Sequence, residues 1–552
     1  MKVVIVGGVA GGASAAARLR RLDETAEIVM LERGGEVSYS NCVLPYYIGG
    51  VVSNADELLL QTPQSFWARY RVDVRLQSEV IAIDRKKKTV HVKNTATGEE
   101  YEQPYDCLIL APGAEAQKLP IEGAEFPGVC ILRTVQDAVQ IRKAAVDRGA
   151  KCAVVIGGGF VGLEVAENLR HAGLEVCVME GTDQIFPPFD QEMANIVTEE
   201  MERNGVRVYT KCAVEKIQTK ENSLQVCSSQ VNVNCDLVIV AVGVVPESGL
   251  AKACGLEVNE RGGIVVDSQM ATSDETIFAA GDVVEKFHRI SQQRTMLPLA
   301  GPASKQGRVI ADNLVGIASS FSGVLGASVC KVFGLTAACV GLNEKTLQAQ
   351  KKAYETIYLS PSQHVGVYPG ASPLTMKLLF GLDGKVLGCQ CVGTEGVEKR
   401  VDVIAATMRF RGSVSDLAEM ELCYAPPYSS PKDPVNYAGY IAENVLSGRA
   451  PIKHWHDLVG RDENNSVLLD VRTPEEYQQG HLKGSINIPV DELRERLEEL
   501  SKDKEIWVYC QVGLRGYIAQ RILMQCRPGQ GIYNLSGGYR LLTVAQLLQK
   551  IE

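Results

Sequence analysis

The chain has 552 residues, 45% hydrophobic and 22% charged, with a formal net charge of −9. Its length predicts roughly three to four domains, and its acidic balance argues against nucleic acid as the main partner, although a local basic pocket for a phosphorylated ligand stays open. No apolar run reaches the roughly 18 residues of a membrane span, and the opening MKVVIVGG leaves no room for a signal peptide, so a cytoplasmic chain with reduced thiols and no membrane partner is expected.

Residues 2–32 read as strand, Gly turn, helix and strand. VVIVG is a buried-strand pattern, GGVAGGASAAARLRRL a small-residue helix, and AEIVMLE a strand ending in Glu32. The G-x-G-x-x-G pattern has Gly7 and Gly12 but Val9 in the middle. A nucleotide site and plain structural glycines both remain readings of this unit alone. Arg18, Arg20 and Arg21 follow on the helix. Positions 18 and 21 share a face and could grip phosphates, against the alternative of a solvated face. Then comes SYSNCVLPYYIGG with Cys42. Pro45 suits a first helical position, which would set Cys42 near a helix N-terminus, where thiol pKa falls.

CLILAPGA (107–114) is a strand ending in a tight turn. The first unit then recurs as KCAVVIGGGFVGLEVAENLRHAGLEVCVME, with a complete motif at Gly157, Gly159 and Gly162. The two first glycines lie 150 residues apart (157 minus 7). Bare backbone at a helix start can cradle a pyrophosphate. Glu180 closes the second strand, where an acid can bond both ribose hydroxyls. Gly181 and Thr182 follow, with no cation for a 2′-phosphate, so NADH is favoured and NADPH kept open. Two such units imply two dinucleotides. TIFAAGDVVE (276–285) ends a strand on Asp282, placed for the sugar-alcohol chain of a flavin or for a plain strand-to-turn transition. LPLAGPASKQGRVIADNL starts a helix near Pro302, whose N-terminus offers positive potential to an anionic reduced flavin.

Residues 323–450 mix strands and helices around HVGVYPGAS and CYAPPYSSPKDPVNYAGY. Cys389 and Cys391 share one strand face and are expected to pack in or against the core. SGRAPIKHWHDLVGRDENN reads as a linker, and the remaining segment alternates strands and helices as a small α/β domain. There Cys510 opens the loop Cys-Gln-Val-Gly-Leu-Arg between IWVY and GYIAQRILM. Consecutive N–H groups can surround an anionic sulfur, and Arg515 closes the loop with positive charge. Asp470 and Arg472 in LLDVR read as braces of the fold.

Cys42 with its surroundings, the two dinucleotide units and AAGD resemble the flavin-dependent pyridine nucleotide–disulfide oxidoreductases over residues 1 to about 448. Tyr47 stands where the two-cysteine branch has its second Cys, so the likeness is to the single-cysteine branch. SYSNC, YAPPYSS and GVEKR look most like its coenzyme A-disulfide reductase group. LLDVRTPEEYQQGHLKGSINIP and CQVGLRG resemble a rhodanese domain. The whole chain is similar to coenzyme A-disulfide reductase–rhodanese fusions, also described as NADH-dependent persulfide reductases.

The resemblance implies an α/β fold class: two Rossmann-like dinucleotide-binding domains, an α+β dimerisation domain and a C-terminal rhodanese-like α/β domain. Residues 1–113 and 245–322 would bind FAD and 114–244 NAD(P)H. Residues 323–448 would dimerise, 449–464 link, and 465–552 form the rhodanese. It implies cofactor contacts at Gly7, Gly8, Ala10, Gly11, Gly12, Glu32, Arg33, Asn41, Ala111, Gly113, Gly157, Gly159, Phe160, Gly162, Glu164, Glu180, Gly243, Gly281, Asp282, Pro298, Ala300 and Ala303. An aromatic at Phe160 would shield the flavin until nicotinamide displaces it. Substrate contacts fall to Arg18, Arg21, Ser38 and Asn41, and no metal is expected. Cys42, Tyr424, Tyr368 and Tyr428 would be catalytic in the reductase, with a tyrosine (Tyr424 first) reaching across a homodimer. Cys510 and Arg515 would be catalytic in the rhodanese.

The expected function is reduction of coenzyme A persulfide, polysulfide, other small persulfides or coenzyme A disulfide by NAD(P)H through FAD and Cys42. Cys510 would handle sulfane sulfur, hydrogen sulfide would leave, and coenzyme A would be substrate or bound ligand. The alternative is an NADH oxidase or peroxidase cycling Cys42 through sulfenic acid. Those relatives carry a His in the first Gly turn, where this chain has Val9 and Ala10. A sulfur-binding or redox-sensing module is the third reading.

Overall fold

The computed structural model describes residues 1–147, 149–220 and 223–548. It divides into two compact units, one of residues 1–183 and 209–324, the other of 184–208 and 325 onward.

The first unit is built on two parallel sheets. In one, five strands run in the order Ile277–Ala279, Cys107–Leu110, Lys2–Val6, Glu27–Leu31 and Val72–Arg75. Val3, Val4 and Ile5 are wholly buried, as a central parallel strand covered on both faces requires. Each such side chain stabilises the core by about 1.5–3 kcal/mol. In the other sheet, Cys152–Ile156 pairs in parallel with Glu175–Met179 and Leu237–Val240, and the last of these with Val129–Ile131. The two halves share one turn geometry. Gly7 (φ +94°) and Gly157 (φ +105°) sit in the left-handed region, and a Cβ on either would meet a carbonyl oxygen, of Ala111 at 2.2 Å or Ala241 at 2.5 Å. Short antiparallel strands, Ala114–Ala116 and Val244–Pro246, run between the halves.

The second unit holds a five-stranded antiparallel sheet in the order Ser328–Val332, Leu335–Gly341, Val386–Gly393, Thr375–Phe380, Glu355–Leu359. Cys389 and Cys391 lie in its middle strand, both wholly buried, and burial pushes both thiols up. A parallel sheet follows, in the order Ile452–Lys453, Ile532–Leu535, Glu505–Tyr509, Ser466–Asp470, Ile486–Asn487.

Two differences from the sequence reading concern boundaries. Residues 184–208, read as part of the nicotinamide half, cluster with the second unit. Their acids explain this: Asp190 and Glu192, with Glu344, surround the fully buried ammonium of Lys377 on the antiparallel sheet, Asp190 at 2.8 Å. Ile452 and Lys453, in the stretch read as a linker, form an edge strand of the parallel sheet. A two-residue strand is too short to leave a periodic signal. None of the sixteen cysteines is joined in a disulfide. Among the described residues no helix is long and apolar enough to cross a membrane.

Candidate active site

Cys42 lies in a 3-10 turn, Asn41–Val43, that leads into the five-residue helix Leu44–Ile48. Pro45 falls in the first turn of that helix, as its fixed φ permits. The helix packs closely on the helix Phe160–His171, since a Cβ on Gly49 would lie 2.4 Å from Asn168 Oδ1. This brings Tyr46 to Glu164, its hydroxyl donating to Glu164 Oε1 at 3.3 Å. Burial pushes the Glu164 carboxyl up to about 7.

The lowered thiol pKa expected for Cys42 is not what these surroundings produce. The residue is exposed at its surface, yet the walls around the sulfur desolvate it. Burial is the first cause pushing the thiol up, Glu164 and Asp282 add to it, and Arg133 opposes them. The physical reason is that Cys42 precedes a helix of little more than one turn, whose partial charge is small beside two carboxylates.

The two dinucleotide turns hold their acids alike. Glu32 accepts from Gly8 N–H at 2.9 Å and Gly34 N–H at 2.9 Å. Glu180 accepts from Gly158 N–H at 2.8 Å and Thr182 N–H at 2.8 Å. Each carboxylate is thus oriented at the end of its second strand, where a ribose is bound in folds of this kind. Gly12 and Gly162 let helix and strand touch: a Cβ on either would lie 2.0 Å from the carbonyl oxygen of Gly7 or Gly157. Gly159 faces open space, with nothing within 4 Å of where a Cβ would stand, and Phe160 begins the helix after it. Ala10 begins the first helix and Gly11 faces Ala280 and Ala111. Gly113 and Gly243 sit at positive φ beside the strands that run between the halves. Arg33 is held by Glu247, at 2.9 Å to Oε2.

Around Asp282 the structure gathers residues the sequence did not single out. Gly281 is gripped from both sides: its N–H donates to Gln306 Oε1 at 2.9 Å, and its carbonyl accepts from Lys286 Nζ at 2.7 Å. Lys286 is 1% exposed, and burial pulls its amine down to about 8. Arg133 donates to Ala114 O at 2.8 Å and lies 3.7 Å from Asp282. Gln306 belongs to the helix Ala300–Leu314, which starts two residues before Pro302; Pro298 precedes it, and Ala303 approaches Gly281. Sequence offered a faint signal for two of these: Lys286 follows AAGD by four positions, and Gln306 is the uncharged polar member of KQGR. Nothing marked Arg133 or Tyr46.

Two buried amide atoms beside this chemistry, Asn41 Oδ1 and Gln306 Nε2, have no hydrogen-bond partner among the described residues. Orphaned buried amides need partners, and a polar isoalloxazine edge and ribityl chain would supply them. Together with the bare Gly turns, the residues present fit FAD. Ser38 takes a left-handed conformation (φ 51°), its N–H donating to Gly8 O at 2.8 Å. Of the arginines, Arg20 is buried and donates to four backbone carbonyls. Arg18 Nε pairs with Asp312 at 2.8 Å, and Arg21 is exposed.

In the second unit the three tyrosines are surface residues: Tyr368 is 42% exposed, Tyr424 48% and Tyr428 72%. Arg400 of GVEKR, buried against Asp433 at 3.0 Å, donates to Gln363 O at 2.8 Å and Tyr428 O at 3.3 Å, so one guanidinium braces the loops on which these tyrosines stand.

Cys510 follows the strand Glu505–Tyr509 and is wholly buried. Its loop is pre-shaped: Gly513 N–H donates to Cys510 Sγ at 3.1 Å, and Tyr539 N–H to Cys510 O at 2.8 Å. Gly538 (φ +60°) makes the second contact possible, since a Cβ there would lie 2.5 Å from Cys510 O. Arg472, almost wholly buried, bonds Asp470 Oδ2 at 2.6 Å and lies 4.1 Å from the Tyr539 ring, the bracing role read from LLDVR. Arg515 is held by both oxygens of Glu476, each at 2.7 Å, a partner the sequence did not reveal.

Two dinucleotide folds with one thiol at their junction, joined to a loop that cradles a second thiol, define a flavin-linked oxidoreductase with a sulfur-handling module. The chain belongs to the pyridine nucleotide-disulphide oxidoreductase family, whose model matches residues 1–307. The dimerisation domain of that family matches residues 327–433, and a rhodanese-like domain matches 456–543. The chain is 36% identical over 445 residues to the coenzyme A disulfide reductase of Staphylococcus epidermidis, spanning 80% of this chain and 100% of that one. Among solved structures it is similar to reduced CoADR-RHD of Bacillus anthracis, at 45% identity and TM-score 0.96, covering 99% of this chain and 98% of that one. It is also similar to a NAD-dependent persulfide reductase from A. fulgidus, at 37% identity and TM-score 0.92, covering 98% and 100%. The protein is an oxidoreductase of the disulfide and persulfide reductase type with a rhodanese domain, using FAD and a nicotinamide nucleotide.

Proposed function

We propose that the protein uses NADH to reduce coenzyme A persulfide, polysulfide and other small persulfides, and coenzyme A disulfide as a further substrate, with hydrogen sulfide released from the persulfides. The observation that carries this reading is the pairing, in one chain, of an exposed thiol between two dinucleotide folds with a second thiol already held by a main-chain N–H. Bound FAD supplies the two-electron relay between nicotinamide and sulfur.

Cys42, as thiolate, attacks the inner sulfur of R–S–SH. The S–S bond breaks, hydrosulfide leaves with the electron pair, and R–S stays on Cys42 as a mixed disulfide. Two electrons and a proton from NADH then cleave that bond, returning the Cys42 thiolate and R–SH. Glu164, with its carboxyl raised to about 7 and its bond to Tyr46, holds a proton beside this chemistry near neutral pH. Asn41 and Ser38 position substrate or flavin. The basic face of the first helix takes the phosphates of coenzyme A through Arg21 and the remaining guanidinium N–H groups of Arg18. The working form is a homodimer, with Tyr424 reaching across it to protonate the leaving thiolate and with Tyr368 and Tyr428 nearby. Cys510 takes up or delivers sulfane sulfur. The medium is the cytoplasm.

Anaerobic NADH consumption with polysulfide, measured together with sulfide release and oxygen uptake, tests this. Sulfide formed in step with NADH supports it. Oxygen uptake without added sulfur would instead favour the oxidase or peroxidase reading, in which Cys42 cycles through sulfenic acid.

A further inference from the structure

The loop of Cys510 is bordered by cations, and the structure shows what each one faces. Arg472, whose Nη1 donates to Gln511 Oε1 at 3.3 Å, is matched by Asp470. Arg515, whose charge acts on Cys510, is matched by Glu476 through two bonds of 2.7 Å. Glu476 cannot swing away freely, because it also accepts from Thr473 N–H at 3.0 Å at the start of its helix. The pairing with Arg515 pulls its carboxyl down to about 2, so it stays ionised throughout the neutral range. Arg540 donates its main-chain N–H to Gln511 O at 2.8 Å and, among the described residues, has no carboxylate within ion-pair distance.

We infer that Glu476 is a specificity-determining residue of the rhodanese module: by cancelling the charge of Arg515 it disfavours dianionic sulfur donors such as thiosulfate and favours the monoanionic persulfides of small thiols. This rests on the reading of Cys510 as a sulfur acceptor. Either donor reacts by one step. The Cys510 thiolate attacks the sulfane sulfur, the S–S bond breaks, and sulfite or the thiolate R–S⁻ leaves with the electron pair, so that Cys510 carries a persulfide. Cyanide removes the outer sulfur as thiocyanate and restores the thiolate. The leaving group decides the charge demand. Sulfite leaves as a dianion and gains from every guanidinium whose charge is not cancelled, whereas the terminal sulfur of a persulfide is served by N–H groups such as that of Gly513.

The test uses the full-length flavin-loaded protein, with thiosulfate and 2-hydroxyethyl persulfide as donors and cyanide as acceptor. Glu476→Gln adds one unit of positive charge and leaves Arg472 and Arg540 unchanged. Its kcat/KM for thiosulfate, relative to that for the persulfide, should rise about two- to fivefold, mainly through KM. The gain should shrink with added salt. Arg515→Gln should move the same ratio the other way, and it keeps the inference open to refutation should Glu476→Gln fold poorly. Equal loss with both donors, or an unchanged ratio in the two variants, would overturn the inference and leave the sulfur-acceptor reading standing. No thiocyanate from the parent protein with either donor would overturn both.

Discussion

Cys42 and Cys510, the two thiols proposed as nucleophiles, are built in opposite ways. Cys510 is wholly buried, and its surroundings already supply an N–H at 3.1 Å and a fixed backbone. Cys42 is exposed, its protein surroundings push the thiol up, and nearby buried amide atoms lack partners among the described residues. The difference teaches where each gains its reactivity. The loop of Cys510 is already shaped by protein atoms, as the proposed sulfur-carrying role needs. The surroundings of Cys42 keep unpartnered amide atoms that fit a bound cofactor, and the proposed nucleophilicity is expected of the holoprotein.

The sharpest way to break this comparison is to delete each thiol. Cys42→Ser should lower NADH-linked persulfide reduction by about a thousandfold or more, as loss of a covalent nucleophile does. Cys510→Ser should leave reduction of a small free persulfide within about twofold, since Cys42 and Cys510 belong to different modules of the chain. Loss of that activity in Cys510→Ser would end the division of labour.

A second test loosens the cofactor's seat. Lys286→Met removes the hydrogen bond to Gly281 O and with it one side of the grip on the Asp282 turn. FAD affinity should fall about tenfold, the scale of one charge-assisted hydrogen bond. Reconstitution titrated by flavin fluorescence would measure it. An unchanged affinity would assign Lys286 to the fold alone.

A smaller effect concerns pH. Glu164 is mostly neutral below about 7 and ionised above it. Its negative charge raises the Cys42 thiol, so Glu164→Gln should move the pH profile of Cys42 alkylation to lower pH. Because the folded carboxyl lies above its ordinary value, the stability associated with its protonated form is present below about 4.5 and lost as pH rises through about 7. Glu164→Gln should therefore gain thermal stability over the wild type at pH 8 but not at pH 4, by differential scanning calorimetry.

Much of the fold was legible because its signals are local and periodic. The two Gly turns, Glu32 and Glu180 at strand ends, and the strand–loop–helix around Cys510 each sit within about thirty residues of sequence. The partners were not legible, because they come from afar. Tyr46 meets Glu164 across 118 positions and Arg515 meets Glu476 across 39. The same holds around Cys42: a local proline suggested a helix dipole, while burial first and then distant carboxylates push the thiol up.

The most direct measurement is peptide mass spectrometry of the full-length flavoprotein after brief anaerobic exposure to 2-hydroxyethyl persulfide, before and after NADH. A hydroxyethyl mixed disulfide is expected on Cys42 that NADH removes, with one added sulfur on Cys510 that NADH leaves in place when Cys42 is replaced by Ser. An unmodified Cys42, or an adduct on it that NADH does not discharge, would contradict the account.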